Sequence, residues 1–197
     1  TRINGIKAIK ETGSNVVRLY INENTTDPDL ENAMVKVVEQ GLVAIVTLES
    51  DKLTCSSNTA TLNSAVDTLW LKKWLCVMAQ DRFQPYLIIN MASGWGPEGV
   101  FHPDSFGYQD YLDAYKAMIG KFRTAGLKVP IAIDAPCGQD YHAFARDRSR
   151  TLVSADTAKN IILSVQADGS RWNSGDKLTS AVTNLMEAGA PFAITSF

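Results

Sequence analysis

The run LVAIVTL, residues 42–48, constrains the fold most. It has almost no polar interruption, so a strand built from it must be covered on both faces. That is the signature of a strand inside a parallel sheet. Five more runs share its character: NVVRLYI (15–21), YLIIN (86–90), VPIAID (129–134), IILSV (161–165) and PFAITSF (191–197). Helical patterns lie between them. Ile3, Ile6 and Ile9 recur at helical spacing before Gly13. Asp27-Pro28 offers a cap and a first turn to a helix with Leu30, Met34, Val37 and Val38 on its apolar face, ended by Gly41. Further helices are predicted over 61–81, 107–123, 141–158 (polar and broken) and 176–188.

Six strands alternating with helices imply βαβ units and a parallel sheet. A doubly wound open sheet and a (β/α)₈ barrel both satisfy that pattern. No glycine-rich phosphate turn follows an early strand, which weakens a nucleotide-binding open sheet. The strand ends instead carry polar residues in succession: Arg18 and Tyr20, Glu49, Asn90, Asp134, Gln166 and Ser196. A barrel gathers its site from the C-terminal ends of many strands in this way. The expected fold is therefore an α/β chain forming a partial TIM barrel, about strands two to seven. Residues 1–197 make one domain, expected to be an excerpt of a longer chain.

The 197 residues suffice for a full core. A net charge of -2, from 19 Lys+Arg against 21 Asp+Glu, gives no general attraction to nucleic acid or to an anionic membrane. The apolar runs are too short to insert into a membrane. The opening TRINGIKAIK lacks the apolar stretch of a signal peptide. Cys55, Cys76 and Cys137 fit no zinc spacing, and His102 and His142 do not complete one. No metal or cofactor is implied. One disulfide with a spare thiol, or three thiols, are equally compatible with the spacing.

The order of these segments resembles the retaining β-glycanases that include the family 5 cellulases and mannanases. GIKAIKETGSNVVRLYI is similar to the helix and strand that carry an active-site arginine there, matched by Arg18. WLCVMAQDRFQPYLIINMASGW resembles the stretch from a helical tryptophan, here Trp74, to the strand ending in Asn-Glu. VPIAIDAPCGQD is similar to a fifth-strand motif through Asp134, Ala135, Pro136, Gly138, Gln139 and Asp140. NIILSVQADGS and GAPFAITSF resemble the sixth and seventh strands. The resemblance implies a glycosidase-type barrel, a polysaccharide ligand, and a secreted or cell-surface location.

The departures fall on the chemistry. Retaining glycosidases need an acid/base and a nucleophile, two carboxyls about 5–5.5 Å apart. The acid/base position reads Gly94 and the nucleophile position Ser196. Glycine cannot protonate a leaving group, and Ser196 has no adjacent base in its motif. The expected function is thus a catalytically inactive glycosidase-like domain. It would bind carbohydrate or serve as a structural module among the protein subunits of a surface assembly. The alternative is an active endo-β-glycanase with relocated carboxylates, for which Glu98 with Glu49 or Asp168 are the candidates. The candidate ligand-binding residues are Arg18, Glu49, Asn90, Trp95, Asp134, Gln139 and Trp172. Each has a plainer reading. Arg18 can pair with a strand-end acid such as Glu49, the two tryptophans can pack on their own loops, and DAPCGQD can simply be a turn. Trp70 and Trp74, four apart on a helix, read as core.

Overall fold

A computed structural model describes residues 4–100, 105, 107–138, 151–167 and 172–196. The six apolar runs form six parallel strands in sequential order: β1 (Val16–Ile21), β2 (Val43–Leu48), β3 (Leu87–Asn90), β4 (Ile131–Asp134), β5 (Ile161–Gln166) and β6 (Phe192–Ser196). Each pairs with the next, so this is the partial (β/α) barrel that the alternation predicts. The register brings Tyr20 beside Thr47, Thr47 beside Asn90, and Asp134 beside Ser164. Polar strand ends are thereby stacked side by side along one rim of the sheet.

On β1 the alternation sorts two faces. Val17, Leu19 and Ile21 are buried, whereas Val16 and Tyr20 remain 42% and 48% exposed. Arg18 shares the second face, because side chains two apart on a strand point the same way. On β2 every residue from Ala44 to Leu48 is buried, as the unbroken apolar run requires.

Helices α1 (Asn4–Glu11) and α2 (Asp27–Glu39) flank β1 in the chain. The cap of α2 lies one residue earlier than the Asp27-Pro28 pair suggests. Thr26 accepts from the Asp29 backbone N–H through Oγ1, while the Asp29 carboxylate accepts from the Thr26 N–H. This reciprocal capping box leaves Asp27 and Pro28 to form the first turn.

The helix expected over 61–81 is not continuous. It divides into α3 (Thr59–Ala65), a π-helical segment (Val66–Lys73) and α4 (Leu75–Met78). Trp70 lies within the π segment and Trp74 directly after it. Both indoles are fully buried, and both N–H groups are satisfied, from Trp70 Nε1 to the Met91 carbonyl and from Trp74 Nε1 to the Thr25 carbonyl, each at 3.0 Å. The π turn there is closed by bonds such as Trp74 N–H to the Leu69 carbonyl. Both large rings enter one core, with ring centres 5.3 Å apart.

Helix α5 (Tyr108–Thr124) buries Tyr111, Leu112, Tyr115, Met118, Ile119 and Phe122, the face its spacing predicts. Of the polar helix expected over 141–158, residues 151–155 are helical and 141–150 lie outside the described residues. After them, Asp156 ties the approach to β5 back to α5: Arg123 Nε and Nη2 each donate to its carboxylate at 2.8 Å. Helix α6 (Gly175–Ala188), capped by Ser174, precedes β6.

Candidate functional site

The C-terminal rim of the sheet is where the polar strand ends meet. Asp134, at the end of β4, is fully buried. Its carboxylate accepts from Arg18 Nη2 at 2.9 Å, from Asn90 Nδ2 at 2.7 Å and from the Gly94 backbone N–H at 3.2 Å. Arg18 also donates through Nε to Thr47 Oγ1 at 2.9 Å, and its guanidinium lies 5.2 Å from the Tyr20 ring centre. Four strands thus contribute to one polar network. A buried carboxylate needs such partners, since an unpaired one would be strongly disfavoured.

Arg18 therefore takes a strand-end acid as its partner, and that acid is Asp134 rather than Glu49. Glu49 stands exposed just beyond β2, on a separate cavity of about 320 Å³ that Asn22 and Asp51 also line. Sequence spacing could not distinguish the two acids. Glu49 lies one residue past the end of its strand, whereas Asp134 is the last residue of β4, where its side chain can turn into the network.

Gly94 occupies a fixed place in this arrangement. Its N–H is held by Asp134, and its carbonyl accepts from the backbone N–H groups of both Cys55 and Cys137, at 3.0 Å each. Cys55 and Cys137 are joined in a disulfide that connects the loop after β2 to the loop after β4, and Cys76 is the exposed free thiol. This resolves the choice the cysteine count left open. Residue 94 has φ +57°, and both half-cystines also have positive φ, a region glycine enters without penalty. The loop after β3 is further fastened to the end of β2 by a bond from Ser93 N–H to the Leu48 carbonyl, and to the loop after β2 by one from Gly96 N–H to the Ser56 carbonyl.

Trp95 is 1% exposed and stacks on Tyr111, with ring centres 5.6 Å apart and planes 14° from parallel. Its edge meets Tyr115 at 5.5 Å. Gly96 makes the stack feasible. A Cβ there would lie 2.7 Å from the Tyr111 ring, and φ is +121°. Tyr111 in turn donates its hydroxyl to the Asp134 carbonyl at 3.0 Å. Burial, with the charge of Asp134 adding to it, pushes the Tyr115 phenol far above its ordinary range. It stays neutral and cannot serve as a base. The aromatic cluster packs directly behind the polar network, a link the sequence did not reveal because Tyr111 and Tyr115 read as ordinary helix-face residues.

Trp172 is half-buried against the core. Ser196 closes β6, with its backbone opposite Gln166. Gln139, Asp140, His102, His142 and Asp168 lie outside the described residues. Glu98 is exposed on the loop after β3. It lines a cavity of about 570 Å³ together with Trp95, Tyr111, Ser57 and Asp110. Asp110 was not singled out by the sequence, where it appears only as an acid in a helix first turn.

The structure superimposes on the mannohexaose complex of the Thermomonospora fusca beta-mannanase with a TM-score of 0.80 at 22% identity, covering 98% of this chain and 64% of that one. A GH5 cellulase from an Icelandic hot spring isolate matches at a TM-score of 0.61 and 15% identity, over 97% of this chain and 57% of that one. The fold is that of the family 5 glycoside hydrolases. In sequence, the chain is 26% identical over 198 residues to the Beta-mannanase/endoglucanase A of Caldicellulosiruptor saccharolyticus, covering 98% of this chain and 14% of that protein. It is 27% identical over 170 residues to the mannan endo-1,4-beta-mannosidase of Salipaludibacillus agaradhaerens, covering 84% of this chain and 51% of that protein. No family model matches the chain. The protein is thus glycoside-hydrolase-like in sequence and in fold, and it spans about half or less of the length of these curated relatives. Among the described residues, no helix is long and apolar enough to cross a membrane.

Proposed function

We propose that this family 5-like domain binds a β-linked polysaccharide of the mannan class without cleaving it by the two-carboxylate route. The observation that carries this reading is Gly94. The sequence resemblance puts the acid/base there, and the residue offers only backbone, committed to Asp134, Cys55 and Cys137. On the same resemblance the nucleophile position reads Ser196, and a retaining mechanism needs both carboxyls. The strand-end rim is on this reading a scaffold. Asp134, held by Arg18 and Asn90, fixes the loop after β3 through the Gly94 N–H, so that loop residues and the half-buried Trp172 meet the ligand. The disulfide fits an oxidising compartment, in keeping with a secreted or surface location.

The test joins an activity assay to a binding assay. Mannan, β-glucan and xylan are incubated with the protein and reducing ends are followed; titration calorimetry with mannohexaose measures binding. Binding without reducing-end release above a heat-denatured control is the expected result. Sustained release would establish the alternative, an active glycanase with relocated carboxylates. One observation favours that alternative: the exposed acids Glu98 and Asp110 line the same cavity. A result with neither release from the three polymers nor binding of mannohexaose would leave the domain as a structural module.

A further inference from the structure

The loop between β1 and α2 carries the chain's one Asn-x-Ser/Thr triplet, Asn24-Thr25-Thr26. An asparagine two residues before a hydroxyl, with no proline between them, is the acceptor pattern for an N-linked glycan. The other asparagines lack a hydroxyl at that spacing. Asn58 and Asn63 also have their side chains in use, one capping α3 and the other bonded to Asp67. Asn24 differs. It is exposed, in a turn closed by Thr25 N–H to the Asn22 carbonyl at 2.9 Å. Its backbone N–H donates to Asn22 Oδ1 at 3.0 Å, a local bond that fixes the turn without using the Asn24 side chain. Among the described residues the Asn24 amide has no hydrogen-bond partner. Asn24 also lines the cavity of about 320 Å³ beside Glu49, so open volume adjoins the amide. The Cys55–Cys137 disulfide fits an oxidising compartment, of which the lumen that receives secretory chains is one.

We propose that Asn24 is the acceptor of an N-linked glycan, attached before α2 is capped. The donor is an oligosaccharide joined through a diphosphate to a membrane lipid. Asn24 Nδ2 bonds to the anomeric carbon of the first sugar. The bond from that carbon to the diphosphate oxygen breaks, and the lipid diphosphate leaves with the electron pair. One amide proton is released, and nothing is oxidised or reduced. The timing follows from Thr26. The transferase must engage its hydroxyl, yet in the folded chain Oγ1 donates to Asp29 Oδ2 at 2.6 Å and accepts from the Asp29 N–H at 3.2 Å. The capping box therefore withdraws the acceptor triplet as α2 forms. Once attached, the glycan costs the fold little, because the Asn24 side chain gives up no bond to carry it.

This site does not depend on the saccharide-binding reading, since the glycan is covalent and the mannohexaose titration is judged separately. The chain is expressed into the secretory pathway of a eukaryotic host. Intact mass and peptide mapping are then read before and after peptide N-glycosidase, on both the secreted and the membrane-enclosed pools, so that a retained chain is still measured. The expected result is a loss of glycan mass on treatment, with the Asn24 amide of the mapped peptide released as a carboxyl. Asn24→Gln should lack the glycan at an unchanged melting temperature, and Thr26→Ser, which keeps the hydroxyl, should retain it. An unmodified Asn24 in both pools, or a treatment-sensitive mass that persists in Asn24→Gln, would overturn the site. Folded protein made in a cytoplasm without the transferase, then incubated with microsomes and the lipid-linked donor, should stay unmodified. Transfer to that folded protein would overturn the ordering relative to α2.

Discussion

Replacing Asp134 by Asn probes the centre of the rim. The amide keeps nearly the same volume but loses the charge. Asp134 is fully buried and the Arg18 side chain is only 9% exposed, so the substitution strands a guanidinium with little water to solvate it. It also weakens the acceptor for the Gly94 N–H. Breaking a buried pair by removing one partner costs about 3–5 kcal/mol. For a chain of this length each kcal/mol corresponds to roughly 2–4 °C in Tm, so a drop of roughly 6–20 °C is expected. Calorimetry or circular dichroism melts would measure it. The decisive comparison is a double-mutant cycle with Arg18→Met and Asp134→Leu. Removing both charges should cost less than the two single changes added together, because no lone charge is then left buried. A loss below about 1 kcal/mol for Asp134→Asn, or single effects that add within about 0.5 kcal/mol, would refute this account of the network.

Two further outcomes follow from other parts of the rim and the helix layer. The Cys55–Cys137 disulfide closes a separation of 82 residues, for which the chain-entropy relation gives about 4.5 kcal/mol. The double variant Cys55→Ser/Cys137→Ser should therefore melt well below the oxidised protein in calorimetry, and a reductant should lower the Tm of the parent while leaving that of the variant unchanged. At Asp156, burial alone would raise the carboxyl, but hydrogen bonds from Arg123 and from the backbone N–H groups of Asn160 and Ala158 outweigh it and hold the group below its usual value. Since the folded value is depressed, the stabilisation is present above the unfolded value of about 3.9 and is lost as pH falls through the folded one. A Tm-against-pH series below about pH 4 should accordingly show a steeper acid decline for the parent than for Asp156→Asn; parallel curves would sink this assignment.

The six strands and their order were legible in the sequence because a strand covered on both faces must be apolar throughout, and LVAIVTL and its counterparts satisfy that without reference to distant residues. The buried face of α5 was legible for the same reason, since its spacing is local. What lay beyond the sequence was pairing across the chain. Arg18 is 116 residues from Asp134, and no local pattern ranks that acid above Glu49. The acceptors for the Trp70 and Trp74 indoles, at Met91 and Thr25, are brought near only by the packed core. The disulfide depended on two loops meeting over the carbonyl of Gly94. Local periodicity thus determined which elements form and in what order. The tertiary structure decided which charges, rings and thiols become partners, because those free energies exist only once strand ends far apart in the chain are stacked on a single rim.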